Sequence, residues 1–445
     1  MAIKRVGARE RFCQPDSHVN SSSPPTDASM TALQLLGYIC VALLLQVVAG
    51  VGVSVWRRRA LTSARPPVAT LEGSAVSAGA WPGWRDFRVL RRSFEDAAKS
   101  QCSFHLQPVD GRPLPDFRPG QYLTFSLQVR DGTGGIAGAE RSLARCYSLS
   151  ERPDPASYRV TIKRMPPPAG RPDLPPGVSS THFHDRVQEG DVLKVKAPSG
   201  HFYIDPDAAV PAVFIAGGIG ITPMMSMLRW CASEQPERVV HLYYGVRSSA
   251  DHAFKQTLEA LAESHPALKL NVVYSSPGPD DVQGRDHQHV GHIDLALLRG
   301  SLPHGRHQFY VCGPPAMMQS LVPALRKWGV NDDDIHLEAF GPASARVAGP
   351  ATNEPLAPRS TSIEVRLNRS GRTLVWDGQD ANLLDFAERH GVAVDSGCRS
   401  GSCGTCETKL VSGAVHYAYK PDHDIAKGHC LMCVGTPRSA LVLEA

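Results

Sequence analysis

The sequence predicts a multidomain chain: an N-terminal transmembrane helix, an antiparallel β-barrel, an α/β doubly wound parallel sheet and a small α+β module. Three observations carry that prediction. An uncharged apolar run lies near the start, short alternating strands give way to strand–helix alternation near residue 210, and five of the eleven cysteines lie beyond residue 397. The length of 445 residues corresponds to about three domains of roughly 150 residues each. With 42% apolar and 20% charged residues the chain is neither wholly disordered nor collagen-like. Lys and Arg number 47 against 43 Asp and Glu, a net charge of +4 that lacks the asymmetry of a nucleic-acid binder.

The first element is the apolar run. No charged residue stands between Asp27 and Arg57. As a helix, residues 31–56 would span about 39 Å, enough to cross roughly 30 Å of hydrocarbon. A cleaved signal peptide would have a shorter apolar region, about 7–15 residues. Arg57, Arg58, Arg59 and Arg65 follow the run, whereas residues 12–30 hold no Lys or Arg. The positive flank marks the cytoplasmic side, so the folded modules should face the cytoplasm from a single-pass anchor in the cytoplasmic membrane. Lys4, Arg5, Arg9 and Arg11 lie farther away and weaken the contrast. Residues 1–30 read as a disordered segment, with Met30 an alternative start, and 57–82 as a Pro/Ala/Ser/Gly linker.

Residues 83–208 show two-residue alternation in Tyr122–Leu127, Tyr158–Lys163 and Asp191–Lys196, punctuated by Gly and Pro, which suggests a small antiparallel barrel. Over 209–342 the rhythm changes. A buried-type strand at Val213–Ala216, a glycine-rich turn and a helical stretch from Met224 open a strand–helix alternation typical of a doubly wound sheet. Residues 343–360 form a second linker and 361–445 the last module.

The strongest chemical signal is Cys398, Cys403 and Cys406, with Cys430 and Cys433 following. C-x4-C-x2-C with a distant fourth cysteine is the spacing of plant-type [2Fe–2S] ferredoxins. Gly397, Gly401 and Gly404 allow the sharp turning such a loop needs, and its backbone N–H groups would point at the sulfurs. The alternative, a four-thiolate zinc site, usually offers two C-x2–4-C pairs. Cys433, just before a terminal strand, is favoured as fourth ligand, with Cys430 a buried spare. Arg145-Cys146-Tyr147-Ser148 on a barrel strand, preceded by Gly120-Gln121-Tyr122, is weak evidence alone. Gly217-Gly218-Ile219-Gly220-Ile221-Thr222-Pro223 lies between a strand and a helix, where glycines let the backbone approach a pyrophosphate. Cys312-Gly313-Pro314 again follows a strand and precedes a helix.

In this order the motifs resemble the ferredoxin–NADP reductase superfamily with a C-terminal ferredoxin fused on, as in oxygenase reductases. Within it, Pro176 to Asp185 and Ala197 to Phe202 look closest to the reductase half of flavohemoglobins. The resemblance covers residues 85–445 and implies a flavin barrel, a nicotinamide domain and an α+β β-grasp ferredoxin. Residues 1–82 read as anchor and linker rather than a globin, so no haem chemistry is implied.

Carried over residue by residue, the resemblance makes Arg145 a partner of a flavin phosphate. Tyr122 and Tyr147 would contact the flavin, Cys146 belongs to the same motif, and Ser148 would lie near flavin N5. Pro176, Gly177, Val178, Ser179 and Ser180 would help bind the pyrophosphate. Gly217 to Thr222 and Cys312, Gly313 and Pro314 would hold NAD(P)H. Phe340, in the segment Glu338 to Pro342, would cover the flavin ring. Ser148, Glu338 and Phe340 are the candidate catalytic residues, and Cys398, Cys403, Cys406 and Cys433 the metal ligands. FAD is favoured over FMN. The choice between NADH and NADPH stays open: Arg247 could bind a 2′-phosphate or simply be a solvated surface residue. His287, His289 and His292 read as a polar surface loop in preference to a metal site.

The implied function is a membrane-anchored reductase passing electrons from NAD(P)H to FAD, to [2Fe–2S] and on to an acceptor redox protein such as an oxygenase, hydroxylase or desaturase. Two alternatives are a self-contained NAD(P)H oxidase or quinone reductase and a redox-sensing interaction protein.

Overall fold

The computed structural model describes residues 80–130, 140–167, 175–207, 209–340, 362–401, 403–418 and 423–445, with a few single positions besides. The expected membrane helix, 31–56, lies outside the described residues but for Val41 and Gln46, as does the linker expected over 343–360. Among the described residues no helix is long and apolar enough to cross a membrane.

Six strands form the first sheet: β1 (Arg85–Phe94), β2 (Gln101–Pro108), β3 (Tyr122–Arg130), β4 (Glu140–Ser148), β5 (Tyr158–Lys163) and β6 (Val192–Ser199). They run antiparallel in the order β4-β3-β6-β1-β2-β5. The two edges meet at a bridge between Leu149 and Val160 and through the Ser150 N–H bond to Arg159 O at 2.8 Å, so the sheet closes on itself. Closure removes the exposed edges that an open sheet would leave. Phe87, Phe104, Leu123, Phe125, Val160 and Val195 fill its interior. Trp81 packs on Phe87 at 5.5 Å and donates from Nε1 to Val195 O at 3.1 Å, so the barrel takes in a residue that the sequence reading assigns to the linker. A short helix, α1 (Val178–Asp185), follows β5.

The second sheet is parallel. It contains β7 (Ala212–Gly217), β8 (Val240–Val246), β9 (Leu268–Tyr274), β10 (His289–Val290), β11 (Gln308–Cys312) and β12 (Ile335–Glu338) in the order β10-β9-β8-β7-β11-β12. Every residue of β7 is buried, as expected of a strand covered on both faces. Alternation divides its side chains: Ala212, Phe214 and Ala216 join one core, Val213 and Ile215 the other. Against the first core pack α2 (Ile221–Glu234), through Met224, Met225, Met227 and Leu228, and α3 (Lys255–Ser264), through Leu258. Beyond α4 (Leu295–Ser301), capped by the Asp294 carboxylate, α5 (Pro315–Trp328) covers the second core. It does so with Met318, Leu321, Val322 and Leu325, the one-sided spacing of an amphipathic helix. Strand order reverses between β7 and β11, and the crevice at that switch point is where this architecture binds ligands.

The last module has β13 (Ile363–Leu367), β14 (Arg372–Trp376), β15 (Glu407–Ser412), β17 (His429–Leu431) and β19 (Leu441–Leu443) in the order β14-β13-β19-β15-β17. Only the β13–β19 pair is parallel in that sheet. A side pair, β16 (Val415–Tyr417) and β18 (Gly435–Pro437), and helix α6 (Leu383–Arg389) complete it. Leu383, Leu384, Phe386 and Ala387 of α6 pack into the core with Val365, Leu367 and Leu443.

Candidate active site

Strand β4 carries Arg145 to Ser148 alongside β3, in register Thr124 to Cys146 and Tyr122 to Ser148. These residues open onto a cavity of about 410 Å³ between the three modules. Tyr122, Arg145, Cys146, Tyr147 and Ser148 form one wall, and Gly177, Val178, Ser179 and Ser180 at the start of α1 form the next. Ile219 and Thr222 reach it from the parallel sheet, Glu338, Ala339 and Phe340 from the end of β12, and Gly397, Cys398 and Arg399 from the last module. The space suits a small-molecule cofactor.

The wall has directed polarity. The Tyr147 hydroxyl shares a hydrogen bond with Ser179 Oγ at 2.7 Å, and its ring packs edge-on against Phe125 and Phe183. That surrounding pushes its phenol up to about 12, so it stays protonated at neutral pH. Ser180 Oγ donates to Gly177 O at 3.0 Å and accepts from Met165 N–H at 3.1 Å, tying α1 to the end of β5. Arg145, Lys163 and Arg399 face the cavity beside a single carboxylate, Glu338. Burial, then the like charge of Arg399, lowers the pKa of Arg145 without neutralising it. A cation-rich wall with apolar rings fits a flavin nucleotide, whose phosphates need cations and whose ring needs apolar contact.

The nicotinamide motifs meet at the switch point. A Cβ on Gly220 would collide with the Cys312 carbonyl, and one on Gly217 would stand 2.5 Å from Pro314 Cδ. Those glycines therefore serve first to let the β7 and β11 loops touch. Gly218 differs: its φ is +53° and the nearest atom to an added Cβ is Lys163 Nζ at 4.0 Å, leaving backbone open to a ligand. Ile221 is buried at the start of α2, and Thr222 Oγ1 donates to Ile219 O at 3.0 Å. Cys312 and Gly313 are buried beneath the loop, and Cys312 is in register with Glu338 across β11 and β12.

Several sequence-derived residues do not reach the cavity. Pro176 lies one residue outside its lining, and Gly217, Gly218, Gly220, Ile221 and Cys312 to Pro314 stand at the neighbouring switch point. Arg247 is exposed just past the end of β8. His287 is a correction: the expected surface loop instead buries it to 2% exposure, stacked on Tyr274 at 4.6 Å. The three histidines do not converge, for His289 faces Asn271 and His292 is exposed. Thr161, Ile162, Lys163 and Met165 of the β5 region line the cavity without a sequence motif to mark them, while Gly397 and Arg399 of the cysteine loop line it without having been expected at the flavin wall. The alternation of apolar and polar residues along Tyr158–Lys163 is the one sequence signal that could have pointed to Lys163.

In the cysteine loop, Gly401 and Gly404 adopt left-handed φ values of +83° and +68°. The third left-handed residue is Arg399, at +57°, not Gly397. Arg399 is held by Glu388 and by Asp385 at 3.4 Å, both on α6. The curl turns N–H groups onto sulfur: Cys398 N–H to Cys403 Sγ at 3.2 Å, Cys403 N–H to Cys398 Sγ at 3.3 Å and Cys433 N–H to Cys406 Sγ at 3.4 Å. These bonds pair Cys398 with Cys403 and Cys406 with Cys433. Among the described residues no three metal-ligating side chains converge on a single point. Two thiol pairs, each with backbone donors, fit a binuclear cluster better than one tetrahedral zinc. Cys430 stands on β17 in the apolar core, paired through its backbone with Thr408.

Residues 214–322 match the family described as an oxidoreductase NAD-binding domain, and residues 365–438 that described as a 2Fe-2S iron–sulfur cluster binding domain. The flavohemoprotein of Rhizobium meliloti is 38% identical over 271 residues, which cover 61% of this chain and 64% of that one. The chain therefore spans less than two thirds of the flavohemoproteins it matches. The flavohem-like FAD/NAD binding domain of the nitric oxide dioxygenase from Vibrio cholerae is covered over its whole length, at 32% identity and a TM-score of 0.50, by 58% of this chain. Phthalate dioxygenase reductase is similar over 82% of this chain and 98% of its own, at 29% identity and a TM-score of 0.50. This chain belongs to the ferredoxin–NADP reductase superfamily, with a C-terminal [2Fe–2S] ferredoxin module. The reductase is an NAD(P)H-dependent oxidoreductase whose cofactors are FAD, NAD(P)H and a [2Fe–2S] cluster.

Proposed function

We propose that this reductase carries electrons from NAD(P)H through FAD and its [2Fe–2S] cluster to a membrane-associated acceptor protein, an oxygenase, hydroxylase or desaturase. The observation that carries the reading is that Gly397, Cys398 and Arg399 of the ferredoxin module line the same cavity as the flavin motif. Phthalate dioxygenase reductase, described as a modular structure for electron transfer from pyridine nucleotides to [2Fe-2S], supports the same order of modules. When bound, the flavin takes up two electrons as a hydride from NAD(P)H and the cluster accepts them singly.

The chain's own residues position and shield. Arg145 and Lys163 supply charge for phosphates, Tyr147 and Ser179 hold the barrel against α1, and Phe340, 40% exposed, stands over the mouth where a nicotinamide would enter. Ser148, buried at the end of β4, offers a hydroxyl without acid–base duty. The run over 31–56 supports anchoring by a single membrane helix, with the catalytic modules on the cytoplasmic side. Anchoring would hold donor and acceptor on one surface and raise their effective concentration.

The test is an anaerobic optical spectrum of the purified full-length protein before and after NADH, then NADPH. Flavin and cluster bands that both bleach are expected, the faster nucleotide identifying the donor. A bleached flavin beside an unchanged cluster would sink the relay. Steady turnover with a quinone and no partner protein would instead favour a self-contained quinone reductase. Cell fractionation tests the anchor: deletion of residues 31–56 should release the protein from the membrane fraction.

A further inference from the structure

The residue in the variable position of the flavin motif, Cys146, touches the other redox module. Its backbone is in register with Thr124 across β3 and β4, and Thr124 Oγ1 lies 3.3 Å from its sulfur. On the opposite side it meets the cysteine loop, where its sulfur and that of Cys403 lie against the same side of Gly397. The approach depends on Gly397. A Cβ there would stand 2.8 Å from Cys403 Sγ and 3.2 Å from Cys146 Sγ, so any larger residue would wedge the two sulfurs apart.

We propose that Cys146 donates an S–H···S hydrogen bond to the ligand sulfur of Cys403 and so sets the reduction potential of the cluster from within the flavin domain. The inference rests on the reading that Cys398, Cys403, Cys406 and Cys433 hold a [2Fe–2S] cluster. Donor and acceptor follow from chemistry. A sulfur bound to iron is a thiolate and can only accept, so the proton lies on Cys146. The Thr124 hydroxyl is then free to donate to the Cys146 sulfur, giving a chain from Thr124 to Cys146 to Cys403. Reduction of the cluster adds negative charge that is shared with its ligand sulfurs. A donor at Cys403 therefore stabilises the reduced form more than the oxidised form and raises the potential. Because the donor belongs to the barrel, the cluster would have this potential only while docked beside the flavin. If Cys146 did no more than fill space, exchanging it for a small apolar side chain would leave the potential unchanged.

The experiment is an anaerobic redox titration of the full-length holoprotein, following the EPR signal of the reduced cluster in wild type, Cys146→Ala, Cys146→Ser and Thr124→Val. Cys146→Ala should lower the cluster potential, shifting the flavin-to-cluster equilibrium several-fold toward the flavin; a tenfold shift would be ~59 mV for a one-electron couple. Cys146→Ser keeps a donor and should recover part of the shift, and Thr124→Val should move it slightly in the direction of the alanine variant. A wild-type potential and EPR signal in Cys146→Ala would overturn the proposal. So would equal shifts in the alanine and serine variants, which would trace the effect to lost sulfur packing. If the alanine variant does not fold, the serine and Thr124→Val titrations decide, and unshifted potentials in both count against it. A wild-type protein that assembles no cluster would overturn the underlying reading, and this inference with it.

Discussion

Two junctions hold the redox centres of this reductase together, and they are built from different materials. At the switch point of the parallel sheet, the β7 and β11 loops meet backbone to backbone, with Gly220 against the Cys312 carbonyl and Gly217 against Pro314. Where the barrel meets the ferredoxin module, the contact is between side chains: Cys146, Cys403 and Thr405 crowd around Gly397. Backbone cannot retreat without moving a strand, whereas a side chain can change rotamer. The first junction is therefore rigid and specifies where a nucleotide lies. The second can yield, and its chemistry can be adjusted residue by residue.

Removing the chemistry of the second junction has the largest expected effect. Cys406→Ser deletes one of the four thiolates and should abolish the cluster's visible and EPR signals, while NAD(P)H still bleaches the flavin. Loss of flavin reduction in that variant would mean that the two junctions are not separable. Gly220→Ala attacks the first junction. Its collision is with backbone, and overpacking of this kind costs about 3 kcal/mol. Thermal unfolding should show a lower Tm and stopped-flow mixing a slow flavin reduction; an unchanged Tm would show that the loop can retreat after all. Gly397→Ala meets side chains, of which Thr405 and Cys146 can move while Cys403 is held as a ligand, so about 1 kcal/mol is expected, with slower cluster reduction after normal flavin reduction. A stability loss equal to that of Gly220→Ala would erase the contrast. The smallest effect belongs to Tyr147→Phe. It removes the 2.7 Å hydrogen bond to Ser179 and should weaken flavin retention about fivefold, for ~1 kcal/mol, measured by equilibrium dialysis.

Much of the fold can be read along the chain because its signals are local. Val213 to Ala216 is continuously apolar because helices cover both its faces, and the strand–helix alternation after it leaves few alternatives to a doubly wound sheet. The cysteine spacing is similarly local, since three ligands sit within one loop. What failed was also local in origin. His287 sits among polar neighbours in sequence, yet the loop folds it onto Tyr274, and nothing in residues 285–292 encodes that stacking. Lys163 and Met165 carry no motif because β5 and the turn after it merely pass the cavity. The glycine-rich turn was legible as a turn, but its division of labour was not: Gly220 and Gly217 serve loop packing and Gly218 the open face, a distinction that depends on a strand nearly a hundred residues away.

By itself, the sequence determined the order of modules, the strand and helix periods, the cysteine set and the glycine positions, because each rests on spacing within one element or one loop. Only the tertiary structure decided which of those features meet. It brought Arg399 to the flavin wall, Arg247 to an exposed strand end, and Cys146 to Cys403 across more than 250 residues of chain. The physical reason is that contacts between modules depend on how closed surfaces fit. That fit is a property of three packed cores together, and no periodicity along a single strand records it.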